Sequence, residues 1–242
     1  MSKKISLKQF LMKSGRFDRS YDCEKSIRDG KVTVDKKIIT NPNYFFSPKL
    51  LVQIEGEKIK KTPKLYFLMN KPADFLSQKA ENEKTIYDVI NKLNIPEEHK
   101  KSLFAVGRLD KGTEGLMIIT NDGQLSDKVM QPGREIIKKY NVILEKPVTT
   151  DNLKLLEKGV IIEIDETKYK TTKCKIKKTG ENEIYISITE GKKRQIRKMF
   201  ESIENSVVYL KRVSIGGLQL GNLKEGEIKP ITREEIMEKL SY

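Results

Sequence analysis

The chain has 242 residues, enough to bury a sizeable core as one domain or as a medium domain with a small appendage. Hydrophobic residues make up 37% and charged residues 34%, and apolar runs recur at helix and strand spacing, which excludes a disordered polyelectrolyte. Lys and Arg outnumber Asp and Glu by 48 to 34, and a net charge of +14 favours a polyanionic partner, nucleic acid foremost, over an acidic or neutral one.

The first quarter carries most of that charge. Residues 1–62 hold 15 basic and 7 acidic side chains, a surplus of +8. Leu7, Phe10 and Leu11 lie one helical turn apart. Ile27 closes a second helix stopped by Gly30, and Val32 and Val34 alternate like a strand. Lys3, Lys4, Arg16, Arg19, Lys25, Arg28 and Lys31 decorate this frame. The stretch from Ile5 to Pro48 resembles the small RNA-binding domain first recognised in ribosomal protein S-four, with Asp35-Lys36 where that family usually has Asn-Gly. The resemblance implies an RNA-binding domain over 1–54, with Arg16, Arg19, Arg28 and Lys31 as RNA contacts. A basic surface with no ligand is the alternative. Residues 55–63 are polar and charged, end in Pro63 and show no apolar period, so they read as a linker.

From 64 to 242 the pattern predicts a second, larger domain. Strands are expected over 65–69, 103–106, 116–120, 140–144, 160–164, 172–176, 184–189 and 207–210, and helices over 86–93, 124–130, 153–158, 192–203 and 233–240. Thr232 and Glu235 have capping-box spacing before the last helix. Several strands follow one another without a helix, so an α+β fold with a mainly antiparallel, mixed sheet fits better than a doubly wound parallel one. No stretch reaches about 18 apolar residues and no leader-like segment opens the chain, so neither a membrane span nor a signal peptide is expected, and the location is read as cytoplasmic.

Few chemistries remain. Cys23 and Cys174 have no metal-ligand spacing, so no metal is expected. His99, the single histidine, sits among Glu97, Glu98 and Lys100 as a solvated residue, which removes His-based triads. Carboxylate, tyrosine and amine groups are left. The segment GRLDKGTEGLMIITNDG, 107–123, places Asp110 in a Gly-rich turn just before an apolar strand. From the residues alone, Asp110 is either a catalytic group on a rigid base or a local hydrogen-bonding turn residue. On a helix at about 100° per residue, Ile196, Met199, Phe200 and Ile203 make one apolar stripe with Arg197 at its edge, a half-buried base.

Gly-Arg-Leu-Asp, then Thr113, Gly115-Leu116 and Thr120-Asn121-Asp122-Gly123, resemble the signature of the RsuA-like ribosomal-RNA pseudouridine synthases, the group that includes RluB, RluE and RluF. The resemblance continues in LYFLMNKP (65–72), KKYNVILEKPV (138–148), EGKKRQIRKMF (190–200) and residues 207–232, in order along nearly the whole chain. It implies that Asp110 attacks a target uridine so that the base detaches, turns and rejoins through carbon 5. A carboxylate nucleophile suits such chemistry because it divides one bond exchange into two easier steps. It further implies that Tyr140 stacks on the uracil and reaches a proton, and that Arg197 partners the aspartate and keeps it ionised. Arg108 is implied to fill the gap left by the extruded nucleotide, with a structural salt bridge as its alternative. Lys192, Lys193, Arg194 and Lys198 read as phosphate contacts or as a solvated face.

The expected function is therefore isomerisation of a uridine in ribosomal RNA. The run TTKCKIKK at 171–178 resembles some large-subunit members and points to that RNA, with small-subunit RNA or tRNA as alternatives. A noncatalytic RNA binder would leave Asp110, Tyr140 and Arg197 unexplained, and a base-releasing hydrolase would share the first step. Isomerisation moves no electrons or groups, so no cofactor is implied. A monomer is the default.

Overall fold

A computed structural model describes residues 4–60, 62–131 and 133–240. Lys3 lies outside the described residues. The chain divides into two compact units, Met1–Leu65 with Ile90–Phe104, and Tyr66–Val89 with Ala105–Tyr242. The elements run β1 (Ile5–Ser6), α1 (Leu7–Lys13), α2 (Ser20–Arg28), β2 (Val32–Val34), β3 (Lys37–Ile38), β4 (Phe45–Phe46), β5 (Val52–Ile54) and β6 (Glu57–Lys58). There follow β7 (Tyr66–Lys71), α3 (Ile86–Ile90), α4 (Glu97–Ser102), β8 (Phe104–Val106), β9 (Glu114–Thr120), α5 (Gly123–Met130), β10 (Lys138–Leu144), α6 (Thr150–Lys158), β11 (Ile161–Ile164) and β12 (Thr167–Lys170). The chain closes with β13 (Lys175–Lys178), β14 (Glu183–Ile188), α7 (Gln195–Glu201), β15 (Val207–Ile215), β16 (Leu218–Gln219), β17 (Ile228–Pro230) and α8 (Arg233–Leu240).

In the first unit Ser6 caps α1 by accepting from the Gln9 amide at 3.3 Å. Leu7, Phe10 and Leu11 then turn inward against Cys23, Ile27, Val32, Val34, Phe46, Val52 and Ile54. The hairpin β2–β3 turns on Asp35 and Lys36, whose φ of 50° and 65° supply the left-handed pair that a two-residue turn requires and that Asn-Gly would adopt with less strain. Glu55 and Gly56 repeat the device between β5 and β6. The segment expected to be a linker, 55–63, therefore begins as a hairpin: its charged Glu57–Lys58 pairs along β5 with both side chains exposed, which is why no apolar period announced it.

The second unit is an α+β fold on a nine-stranded mixed sheet, in the order β13-β14-β10-β15-β9-β7-β17, with β16 beside β15 and β8 beside β9. β9 runs parallel to β15, while β7–β9, β10–β15, β10–β14 and β13–β14 are antiparallel. On one face of β9 and β7, Leu116, Ile118 and Leu68 pack with Leu125 of α5 and with Ile236 and Leu240 of α8. The capping box of α8 is complete: Thr232 N donates to Glu235 at 2.8 Å and Glu235 N donates to Thr232 Oγ1 at 3.1 Å.

Two local expectations shift. The strand expected over 172–176 is β13, three residues later, and Thr167–Lys170 adds a strand that pairs with β11 through an Asp165-Glu166 turn at φ 46° and 65°. The helix expected from 192 starts at Gln195, because the Gln195 side chain binds the Lys192 amide (2.9 Å) and Glu190 (2.6 Å), and Arg194 takes φ 53°. Among the described residues no helix is long and apolar enough to cross a membrane.

Candidate active site

Asp110 stands on the turn between β8 and β9, with its side chain exposed, and Thr113 N closes the turn onto Asp110 O at 3.0 Å. Among the described residues no hydrogen bond or ion pair occupies its carboxylate. The backbone around it is gripped from several directions. Ser77 Oγ donates to Leu109 O (2.6 Å) and accepts from Leu109 N (3.0 Å), clamping the residue before Asp110. Lys71, at the end of β7 and 0% exposed, donates from Nζ to Pro72 O at 2.8 Å, Lys111 O at 3.0 Å and Thr113 O at 2.9 Å. Arg197 on α7 donates from Nη2 to Gly112 O at 3.0 Å and from Nη1 to Val207 O at 2.7 Å. These contacts use main-chain atoms of the turn and leave the carboxylate free.

The parallel strand pair needs a glycine here. Gly115 has φ 112°, and a Cβ on it would lie 2.2 Å from Arg212 O, inside the contact distance of two unbonded atoms. Arg212 is opposite Gly115 in β15, Tyr140 is opposite Arg212 in β10, and Lys71 is opposite Gly115 in β7. The register thus sets Tyr140, Arg212 and Lys71 in one row on one face, with the glycine as the gap. Tyr140, 7% exposed, stands two strand spacings from Gly115, about 10 Å. Arg212 is 4% exposed, and its Nε donates to Leu116 O at 2.7 Å while its Nη2 has no hydrogen-bond partner among the described residues.

Charge follows burial. Burial pushes the Lys71 ammonium down to about 8, with the carboxylates of Asp74, Glu114, Asp110 and Glu225 pulling the other way. Burial likewise lowers Arg197, helped by the nearby charge of Arg194 and opposed by Asp110 and Glu201. Arg197 and Asp110 therefore sense one another through space, while the guanidinium's hydrogen bonds go to carbonyls. The half-buried setting expected of Arg197 is present, beside buried Ile196, Met199 and Phe200. The direct ion pair with Asp110 is replaced by a tether to Gly112, because the guanidinium lies against the backbone of the turn.

The other expected residues divide. Arg108 is exposed and, among the described residues, reaches the amide oxygen of Gln78, at 3.5 Å, and no carboxylate. Lys193 pairs with Asp165, and Lys198 donates to Glu163 O, so both fasten the β11–β12 hairpin to α7. Arg194 is exposed just ahead of α7. In the first unit Arg16 pairs with Glu57, Arg28 with Glu24 at 3.8 Å and Lys31 with Glu55 at 2.9 Å, and Arg19 occupies the N-cap of α2. Lys71, Ser77 and Arg212 went unremarked as site residues in the sequence. Only the fixed order of LYFLMNKP could have drawn attention to the first.

Residues 65–202 match the family described as RNA pseudouridylate synthase. An uncharacterised RNA pseudouridine synthase of Bacillus subtilis is 34% identical, over 96% of this chain and 97% of its own. The chain belongs to this family. It is an RNA pseudouridine synthase, and the match places Lys71, Ser77, Asp110, Tyr140 and Arg197 all inside the family region. Relatives include the ribosomal large subunit pseudouridine synthase B of Bacillus subtilis, 33% identical over 88% of this chain and 87% of its own. The ribosomal small subunit pseudouridine synthase A of Escherichia coli is 34% identical over 88% and 90%. A pseudouridylate synthase crystal structure superposes with a TM-score of 0.69 at 28% identity, covering 98% of this chain and 99% of that one.

Proposed function

We propose that the synthase isomerises a uridine of ribosomal RNA with Asp110 as nucleophile. The observation that carries this reading is an exposed carboxylate with no protein partner, on a turn whose backbone is held by Lys71, Ser77 and Arg197. A catalytic group gains from such mounting because a displacement of about 1 Å can cost about a hundredfold in rate. In the proposed sequence Asp110 attacks the nucleoside and the N1 glycosidic bond breaks. The base turns, carbon 5 bonds to the sugar as the Asp110 carboxylate leaves it, the proton on carbon 5 departs, and N1, freed of the sugar, takes one up. Tyr140 stacks on the uracil and offers its hydroxyl to a proton in transit. Arg197 adds positive charge near the carboxylate and holds Gly112. Arg108, exposed beside Asp110 and unclaimed by a carboxylate, fills the space of the extruded nucleotide.

Residues 1–54 form, in this reading, an RNA-anchoring domain of the ribosomal protein S-four type. Arg16, Arg28 and Lys31 then exchange surface glutamates for phosphates, a small cost because ion pairs in contact with water contribute little. Arg19 joins them, and in the second unit Lys193, Arg194 and Lys198 are further phosphate contacts in this reading. Relatives named for the large and the small subunit match almost equally well, and the run at 171–178 makes large-subunit RNA the first target to map. Release of tritium from carbon 5 of labelled uridine tests the reaction, since a hydrolase would yield free uracil instead. Carbodiimide mapping by primer extension, in cells with and without the gene, then finds the nucleotide. Identical pseudouridine patterns in both cells would reject the ribosomal assignment.

A further inference from the structure

The half of the large sheet formed by β13, β14, β10 and β15 is buried on one side and partly open on the other. Ile184, Ile186, Ile188, Val142, Leu144 and Leu210 point to the buried side. On the other side the register lays out two cross-strand rows: Lys177, Tyr185, Asn141 and Lys211 in one, and Lys175, Ser187, Lys139 and Ser214 in the next. Lys175 and Lys177 are exposed, Tyr185, Ser187, Lys139 and Lys211 are half-buried, the short Asn141 and Ser214 are buried between them, and Ile143 on the same side is 39% exposed. This is the alternation of an antiparallel sheet with one face open to water.

The open face has a distinct chemistry. Lys139 Nζ stands 4.6 Å from the centre of the Tyr185 ring, a cation over an aromatic face. The acids on this side are already engaged: Glu114 accepts from Tyr209 at 2.9 Å and pairs with Lys211 at 3.5 Å, and Glu183 accepts from Asn141 at 2.6 Å. Among the described residues Lys139, Lys175 and Lys177 meet no carboxylate. Exposed cations around an aromatic ring on an uncovered sheet suit an unpaired nucleic-acid strand, whose phosphates meet the amines while a base stacks on the ring. A protein partner would call for a wider apolar patch than Ile143 with Tyr185 and Tyr209, whose hydroxyl is engaged by Glu114.

We infer that this face is a second RNA-docking surface of the synthase, taking an unpaired strand of the substrate RNA with phosphates at Lys139, Lys175 and Lys177 and a base on Tyr185. The inference rests on the reading of RNA as substrate, and it adds a surface formed by strands away from the Asp110 turn. Lysines on an edge strand such as β13 also discourage edge-to-edge pairing, so the test must read phosphate contacts directly.

The full-length protein is compared with Lys175→Glu/Lys177→Glu, Tyr185→Ala and Tyr185→Phe, using a uridine-rich single strand and a fully paired duplex of equal length. The double charge reversal should weaken single-strand binding at least about tenfold and reduce the slope of log affinity against log salt by about 1–2, since each lost phosphate contact removes about 0.7. Tyr185→Ala should cost about tenfold on the single strand, the size of one lost stacking contact, and Tyr185→Phe should restore it. Folded variants with unchanged affinity and slope would overturn the inference. So would equal losses on strand and duplex, or a charge reversal that only makes the protein self-associate. If these binding effects appear but labelled uridine releases no tritium, the docking surface stands and the proposed reaction fails.

Discussion

Lys71→Met removes the donor that grips the Asp110 turn while keeping an unbranched side chain of similar length. The Nζ donates to Pro72 O, Lys111 O and Thr113 O, and hydrogen bonds from a charged group contribute about 1.5–3 kcal/mol each. Against that gross of about 4–9 kcal/mol stands the cost of burying the ammonium. Its displacement from 10.5 to about 8 corresponds to about 3 kcal/mol at 1.36 per unit. A net loss of about 3 kcal/mol follows, or about 6–12 °C in Tm for a domain of this size. The rate should suffer more. With two turn carbonyls released, Asp110 is free to shift, and kcat for tritium release should fall about a hundredfold with RNA affinity little changed. The pH dependence has a fixed sign. The folded pKa is depressed, so the linked stability is fully present above 10.5 and is lost as pH falls through about 8. Wild-type stability should thus gain a rising contribution between those values that Lys71→Met lacks. Activity should move the other way, declining above about 8, because a neutral amine has fewer N–H groups than the carbonyls it serves. A Lys71→Met protein with kcat within threefold of wild type and an unchanged alkaline limb would refute the clamp.

Asp110→Asn should abolish tritium release while leaving RNA affinity, measured by filter binding, within about twofold, since the side chain is exposed and engages no protein partner. Arg197→Lys should lower kcat about a hundredfold with little change in KM, because one ammonium cannot span Gly112 O and Val207 O together. Gly115→Ala should destabilise by more than about 4 kcal/mol in urea unfolding, or prevent folding, since its Cβ would meet Arg212 O at 2.2 Å with φ at 112°. A stable Gly115→Ala protein would mean that β9 and β15 are free to separate.

Apolar period made the sheet legible in the sequence. The run from Leu116 to Ile119 reads as a strand because every side chain is apolar, and it is buried on both faces. β12 escaped notice because Thr-Lys-Tyr-Lys has no buried side, and its turn, Asp165-Glu166, lacks the glycine or asparagine that signals a hairpin. The true start of α7 escaped because Gln195, a residue of ordinary helix propensity, turns its side chain back to the preceding loop. At the site, Asp110 and Arg197 were legible through motif and helical spacing. Lys71 was not: a lysine normally marks surface, and its partners are 40 and 42 residues away along the chain. Ser77 and Arg212 share that fate, since each acts through main-chain atoms of a distant segment, which leave no trace in side-chain patterns.

Holding the Asp110 turn by its carbonyls has a consequence for how this enzyme can diverge. Lys71 and Arg197 bind Lys111, Thr113 and Gly112 through backbone oxygens, so an exposed side chain of the turn such as that of Lys111 is free to vary without loosening the mount, while Thr113 is held by its burial. The grips themselves are not free, because a shorter or neutral group in place of Lys71 strands buried carbonyls, and one in place of Arg197 releases Gly112 from Val207. Pressure to recognise a new RNA therefore falls on exposed surfaces that carry no such duty: the paired arginines of the first unit, Arg194 ahead of α7, and the open sheet face with Tyr185. If that division holds, exchanging Lys175, Lys177 and Tyr185 for the residues a relative carries there should alter which RNA is bound and leave the rate at saturating substrate intact. Exchanging Lys71 should do the reverse.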